Sequence, residues 1–306
     1  MDDSSAPIRV ICGPTAAGKT FAAEWFGRRA DITVVSADSR QLYRGFDIGT
    51  AKPTPEEQHR LPHVGIDVLD PTARASAARW AEWADRWVDE ACGEGRTPVV
   101  VGGTGLYLRA LFGGIFQEPE LDPARRDALQ RELGTLSTDE LRRWVMELDG
   151  RRAHLGRTQL LRAVEIALLT GRRLSDLHLT NQRPPARRAR YLVIDPGPEL
   201  ASIIERRVDA MFARGWRQEV RRLMETVDAE APAWNGTGYR ALRALEEGTL
   251  TEREAHDRIV IDTRQYAKRQ RTWFRHQLEG EDVTRLSTGQ DDWEEQATAW
   301  WRGVDA

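Results

Sequence analysis

The chain has 306 residues, 40% of them hydrophobic, enough to bury the core of one large domain or two modest ones. A net charge of −3 excludes a uniformly basic nucleic-acid coat, so any nucleic-acid face must come from local clustering of arginine. Cys12 and Cys92 form neither a disulfide framework nor a zinc site, the MDDSSAP start is polar, and no stretch approaches the ~18 apolar residues of a membrane span; a soluble, cytoplasmic protein is expected. The basic residues are almost all arginine, lysine occurring only at Lys19, Lys52 and Lys268. A lysine kept in such a chain can mark a place that needs a compact ammonium in preference to a planar fork.

The apolar run IRVICG (8–13) leads into a glycine loop, and FAAEWFGRR after it has helical character. ITVVSAD (32–38) reads as a second buried strand ending in polar residues. A helix follows over 76–92, then TPVVVGGTG (97–105), a third strand closed by a glycine turn. Alternating strand and helix predict a parallel α/β sheet with helices on both faces, its ligands bound beyond the carboxyl ends of the strands. Trp80, Trp83 and Trp87 fall on one face of the 76–92 helix and read as core. From 113 to 189 there are helical patterns without strands, predicting an all-helical insertion into a discontinuous core of 1–112 and 190–280. A strand returns at RYLVID (190–195); beyond 198 everything reads as helix, and 281–306, acidic and tryptophan-bearing, reads as a tail.

Gly13-Pro14-Thr15-Ala16-Ala17-Gly18-Lys19-Thr20 fits the G-x-x-x-x-G-K-[ST] phosphate-binding loop, with the strand before it and the helix after it that the motif requires. The fold class expected is therefore P-loop NTPase-like. Backbone amides and a helix N-terminus would hold a diphosphate, Lys19 would reach its outer phosphate and Thr20 could ligate Mg²⁺. An ATP-hydrolysing protein would usually add an apolar strand ending in aspartate; here PVVV ends in Gly102-Gly103-Thr104-Gly105. Asp38 does end a strand, where a base acting on an acceptor would stand. The phosphate donor, ATP or another diphosphate, stays open at this point. Thr104, between glycines that would let the backbone approach a ligand, projects a hydroxyl into the same crevice. No acid occurs from Thr263 to Leu278, where Arg264, Lys268, Arg271 and Arg275 form one helical stripe; with the arginines at 183, 187, 188 and 190 it points to a phosphodiester partner.

GPTAAGKT, SADSRQLYRGFDIGTAKP, VVVGGTGLYLRAL, LTGRRLS, RVDAMFARG, GYRAL and TRQYAKRQRTWFR, in this order over roughly 8–278, resemble the tRNA dimethylallyltransferases, also called tRNA isopentenyltransferases. The resemblance implies that the loop binds dimethylallyl diphosphate. The C5 unit would pass to N6 of the adenosine just 3′ of a tRNA anticodon, flipped into a channel, and diphosphate would leave with Mg²⁺. By position it implies Asp38 as general base, Thr104 beside acceptor and diphosphate, and Arg207 with Lys19 and Thr20 on the leaving group. Ser39, Arg40 and Gln41 would contact the flipped adenosine, and Arg126 and Arg162 of the insertion would contact the anticodon stem-loop. A monomer is expected. Departures are His63-Val64 where the family often has two histidines, and Thr158-Gln159 where it shows Gln-Arg; these bear on tRNA contacts and leave the diphosphate site intact. A small-molecule kinase with Asp38 as base would explain the loop and Asp38 but not the stripe or the insertion. A non-catalytic RNA binder would explain the arginines but not an intact Lys19, Thr20 and Asp38.

Overall fold

The computed structural model describes residues 6–113, 121–180 and 187–303. Six parallel strands, β1 (Ile8–Cys12), β2 (Ile32–Ser36), β3 (His63–Val64), β4 (Thr97–Gly102), β5 (Ala189–Ile194) and β6 (Val283–Leu286), form one sheet in the order β3-β2-β4-β1-β5-β6. β2 is buried along its whole length, as a strand covered on both faces must be. Side chains of the central strands alternate between two cores: Val10, Val35, Val100 and Val193 enter one, Ile11, Val34, Val99 and Leu192 the other. The strand order sets the site. Cys12 pairs with Gly102 on one side and Val193 on the other, so the loop after β1 emerges between the glycine turn after β4 and the end of β5. Ser36 lies opposite Val101, which brings the residues after β2 to the same edge.

Thirteen α-helices follow among the described residues. α1 (Lys19–Gly27), α2 (Pro55–Arg60), α3 (Ala77–Gly93) and α4 (Gly105–Phe112) belong to the first half of the sheet unit, which comprises residues 1–112 and 186–306. The second unit, residues 113–185, carries α5 (Pro123–Gly134), α6 (Thr138–Asp149), α7 (Arg157–Thr170) and α8 (Leu174–Thr180) around its own core of Leu141, Val145, Leu160, Val164 and Ile166. Its helices start where the sequence supplies caps: Ser137 and Glu140 form a capping box on α6, and buried Asp149 accepts from the Ser175 amide and hydroxyl at the start of α8. The sheet unit resumes with α9 (Leu200–Ala213), α10 (Trp216–Thr226), α11 (Tyr239–Glu246), α12 (Glu252–Gln277) and α13 (Trp293–Arg302).

Residues 281–303 are not a tail. β6 pairs with β5 from Tyr191↔Val283 to Ile194↔Leu286, and α13 buries Trp293 and Trp300 against α1, with ring centroids 5.1 Å from Trp25 and 5.5 Å from Phe26. Acidic composition masked the helical period: Trp293, Ala297 and Trp300 at i, i+4 and i+7 form the buried face, and the acids stay on the exposed one. Trp80 is fully buried and donates from its indole to Ser36 O, with Trp83 and Trp87 packed partly buried on the same core. No helix among the described residues is long and apolar enough to cross a membrane.

Candidate active site

The phosphate loop is held in shape from inside and outside. Gly13, at φ 144°, passes so close to β5 that a Cβ there would stand 2.1 Å from Ile194 O, so only glycine fits. Ala17 N donates to Pro14 O at 3.3 Å, and Ala16 takes the left-handed conformation at φ 63°. Thr15 N donates to Gln270 Oε1 at 2.8 Å. Lys19 Nζ donates to Gly13 O at 3.0 Å and Pro14 O at 2.7 Å, folding its chain back over the loop. Gly18, at φ 97°, is the N-cap of α1, whose first amides point out at the loop mouth as an anion site. Burial lowers the Lys19 ammonium to about 8; the charge of Arg207 pushes it the same way and Asp38 opposes both. A cation destabilised in this way is stabilised again by an arriving anion.

Asp38 stands where two cavities meet. One is lined by Lys19, Thr20, Ser36 and Gln41 as well as Asp38; the other by Asp38 with Thr15, Arg40, Arg207 and Tyr266. One carboxylate oxygen accepts from Arg40 N at 2.8 Å, a turn closed by the aspartate on its own backbone. The other makes no hydrogen bond to a described residue, and no cation among the described residues reaches Asp38 in an ion pair. Thr104 lies across from it: its hydroxyl accepts from Ser39 N at 3.1 Å, and its amide donates to Ala37 O at 3.1 Å. Burial pushes the Tyr266 hydroxyl up to about 12, the charge of Asp38 pushes it the same way, and the neighbouring Thr104 side chain opposes them. Half-buried Arg207 on α9 makes no hydrogen bond to a described residue, and its desolvation is offset only by the charge of Asp38. It is a cation waiting for an anion.

The glycines after β4 serve a purpose other than the one the sequence suggested. The space a Cβ would fill at Gly103 is taken by Gln270 Nε2 at 2.3 Å, and at Gly105 by the Trp273 ring, also at 2.3 Å. It is α12 that packs closely on the turn at these two positions.

Residues 38–53 have little regular structure yet are anchored at many points. Gln41 Nε2 donates to Thr50 O and Ala51 O while its carbonyl accepts from Ser36, so its side chain is committed within the protein. Lys52, 5% exposed, donates to Tyr43 O at 2.9 Å and ion-pairs with Asp47 and Asp67. Buried Glu219 accepts from Ile48 N at 2.8 Å, Asp47 N at 3.2 Å and the Tyr239 hydroxyl at 2.7 Å, and Tyr239 in turn accepts from Gly49 N at 3.1 Å. The loop that carries Asp38, Ser39 and Arg40 is thereby set before any ligand arrives.

The basic stripe on α12 is less free than its sequence implied. Arg264 pairs with Glu205 at 2.7 Å, and Arg271 forks onto Asp195 at the end of β5, with its Nε 2.8 Å from Oδ2. Arg275 is exposed and has no ion pair among the described residues, and Lys268 has none either. Arg187 is neutralised by Asp85 and Asp89 of α3. Arg183 lies outside the described residues. In the helical unit, Arg126 Nε at 2.6 Å and Gln130 Nε2 at 2.7 Å donate to Glu165, which also holds Arg162. Burial pushes the Glu165 carboxyl up, but the hydrogen bonds and charges of Arg162 and Arg126 outweigh it and leave it lowered. Gln159 accepts from Gly156 N and caps α7. Gln270, Lys52, Glu219, Tyr239 and Glu165 were not singled out as site residues by the sequence, because a buried polar partner has no periodicity of its own. An acid three residues after Arg162 on a helix was the visible sign for Glu165, as the rarity of lysine was for Lys52.

A parallel sheet carrying a phosphate loop, an aspartate and an arginine with no ion pair among the described residues at its carboxyl edge defines a group-transfer enzyme that handles a phosphorylated substrate. The chain belongs to the IPP transferase family, whose sequence profile matches residues 41–277. It is 42% identical over 307 aligned positions to a tRNA dimethylallyltransferase of Thermomicrobium roseum, covering 95% of this chain and 89% of the relative. It is 40% identical over 290 to one of Thermus thermophilus, covering 93% and 94%. A crystal structure of a tRNA delta(2)-isopentenylpyrophosphate transferase from Staphylococcus epidermidis superposes with a TM-score of 0.68 at 28% identity, covering 97% of this chain and 98% of that one.

Proposed function

We propose that this protein transfers a dimethylallyl group from dimethylallyl diphosphate to N6 of the adenosine immediately 3′ of the anticodon in tRNA, giving N6-isopentenyladenosine and diphosphate. The observation that carries the reading is the place of Asp38, with one carboxylate oxygen fixed and one free, on the wall shared by a cavity holding Lys19 and Thr20 and a cavity holding Arg40, Arg207 and Tyr266. The exocyclic amine of adenine is a poor nucleophile because its lone pair is delocalised into the ring. Proton removal by the free oxygen of Asp38 as the N–C bond forms makes attack feasible. On the donor, the bond from C1 to the bridging oxygen breaks and negative charge grows on the diphosphate. The loop amides, Lys19 and Arg207 face that growing charge and stabilise it. No water needs activation, which accounts for a glycine turn where a hydrolase would carry an acid.

Thr104 is in position to orient the acceptor amine. Ser39 and Arg40 present polar groups to the acceptor, and Gln41 acts by holding the turn at 50–51. Mg²⁺ of the kind that accompanies a diphosphate is held by one or two protein oxygens, the rest coming from phosphate and water. The exposed Thr20 hydroxyl, lining the Asp38 cavity, suits that donor set. When bound, such an ion would neutralise part of the leaving group's charge. The tRNA backbone is assigned to Arg275, Lys268, Arg264 and Arg271 in the sheet unit and to Arg126 and Arg162 in the helical one. On this reading we take the protein to be a cytoplasmic monomer. The test is ligand-dependent melting followed by product analysis. Dimethylallyl diphosphate, but not ATP, should raise Tm, and an unmodified anticodon stem-loop should gain one C5H8 unit on its adenosine. Stabilisation by ATP alone, with no prenylated nucleoside, would return the loop to a kinase.

A further inference from the structure

The phosphate loop and the Thr104 turn come from different strands, and one side chain joins them. Gln270 is buried at 7% exposure on α12, and its amide spans the gap: Oε1 accepts from Thr15 N at 2.8 Å and Nε2 donates to Gly103 O at 2.8 Å. The partners fix which end of the amide is which, since a flipped group would set donor against donor and acceptor against acceptor. There is no slack in the arrangement, because the Gly103 Cα lies where any side chain would strike Nε2. Thr15 N is thus used by the protein, leaving the later amides of the loop, around Gly18 and Lys19, as the diphosphate's donors. The same helix reaches the turn at two further points, each about one turn from Gln270: Tyr266 beside Thr104 and Trp273 over Gly105.

We infer that Gln270 is a positioning residue that sets the separation between the diphosphate-holding loop and the acceptor-holding turn; this rests on the reading of the loop as a diphosphate site. In an SN2-like or dissociative displacement alike, C1 of the donor and N6 of the acceptor must meet within about 3–3.5 Å, so a tie between the two holders acts on both donor affinity and turnover. A side chain that only filled space would be replaceable by any of equal volume.

The test uses Gln270→Met, which keeps the volume and loses both hydrogen bonds, and Gln270→Glu, which keeps the bond to Thr15 N and sets an oxygen against Gly103 O. Binding of inorganic diphosphate to the full chain without tRNA is measured by calorimetry, alongside KM for dimethylallyl diphosphate, kcat and tRNA Kd. Both variants should bind diphosphate about tenfold more weakly and show raised KM and lowered kcat with tRNA Kd unchanged. Gly103→Ala should weaken diphosphate binding in the wild-type background, and less so in Gln270→Ala, where the space is open; this non-additivity guards against a variant that merely folds poorly. Diphosphate affinity and KM unchanged in Gln270→Met would overturn the inference. Failure of the unaltered chain to bind diphosphate would overturn the reading of the loop itself, and the role of Gln270 with it.

Discussion

Tyr239→Phe removes one oxygen from a ring that is 0% exposed and changes no packing, so its effect is that of two hydrogen bonds. The first is donated to the Glu219 carboxylate at 2.7 Å; a bond to a charged group contributes about 1.5–3 kcal/mol. The second is accepted from Gly49 N at 3.1 Å, a longer neutral bond of about 0.5–1.5 kcal/mol. Glu219 keeps the amides of Asp47 and Ile48, which places the total in the lower half of the summed range, about 2–3 kcal/mol. For a unit of this size that lowers Tm by roughly 4–10 °C, read by calorimetry. Burial raises the Glu219 carboxyl, and its hydrogen bonds from Ile48 and Tyr239 oppose that. The hydroxyl therefore favours the ionised form, so the destabilisation is largest where Glu219 is charged and shrinks as pH falls through its raised folded value. Because Gly49 and Thr50 line the cavity of Asp38, Arg40 and Tyr266 and lie outside the phosphate loop, KM for tRNA should rise while diphosphate affinity holds. An unchanged Tm, or a diphosphate affinity that falls along with tRNA binding, would refute the view that this network sets the acceptor loop.

Lys19 is charged below about 8 in the free protein, so the advantage in diphosphate affinity of the wild type over Lys19→Met should be constant below that pH and shrink above it; a titration with no difference between the two would remove Lys19 from the site. Arg275→Glu reverses a side chain with no ion pair among the described residues and should weaken tRNA binding and flatten its salt dependence, measured by filter binding at several salt concentrations. Unchanged binding would return the stripe to a solvated face. Trp300→Ala empties a 3%-exposed indole site beside Phe26 and should cost about 3–5 kcal/mol, seen as a lower denaturant midpoint; a midpoint equal to wild type would mean that α13 does not contribute to the fold.

What the sequence made legible was whatever has a period or a fixed spacing. Gly13 to Thr20 announced their loop by spacing, ITVVS and PVVV their strands by continuous apolar character, and Asp38 its place by ending one of them. The tetrad on α12 was visible as a stripe, but the acids that neutralise two of its members come from α9 and from the end of β5, distant in the chain, and no local pattern reports them. Lys52 stood out as one of three lysines, and its reason is a buried ammonium between two aspartates, compact enough to reach Tyr43 O as well. Composition misled at 281–303, where counting acids hid a four-residue edge strand and a helix whose buried face is three residues wide. The glycines at 103 and 105 were read correctly as sites of close approach, but what approaches is Gln270 and Trp273.

In the proposed reaction Asp38 takes the proton of the acceptor amine. Single-turnover transfer by Asp38→Asn, with dimethylallyl diphosphate and tRNA both saturating, isolates that step. The substitution keeps the size of the side chain and an oxygen to accept from Arg40 N, and removes only the basic oxygen. The transfer rate should fall by ~10²-fold or more with both substrate affinities within about twofold of wild type. A transfer rate near that of the wild type would contradict it.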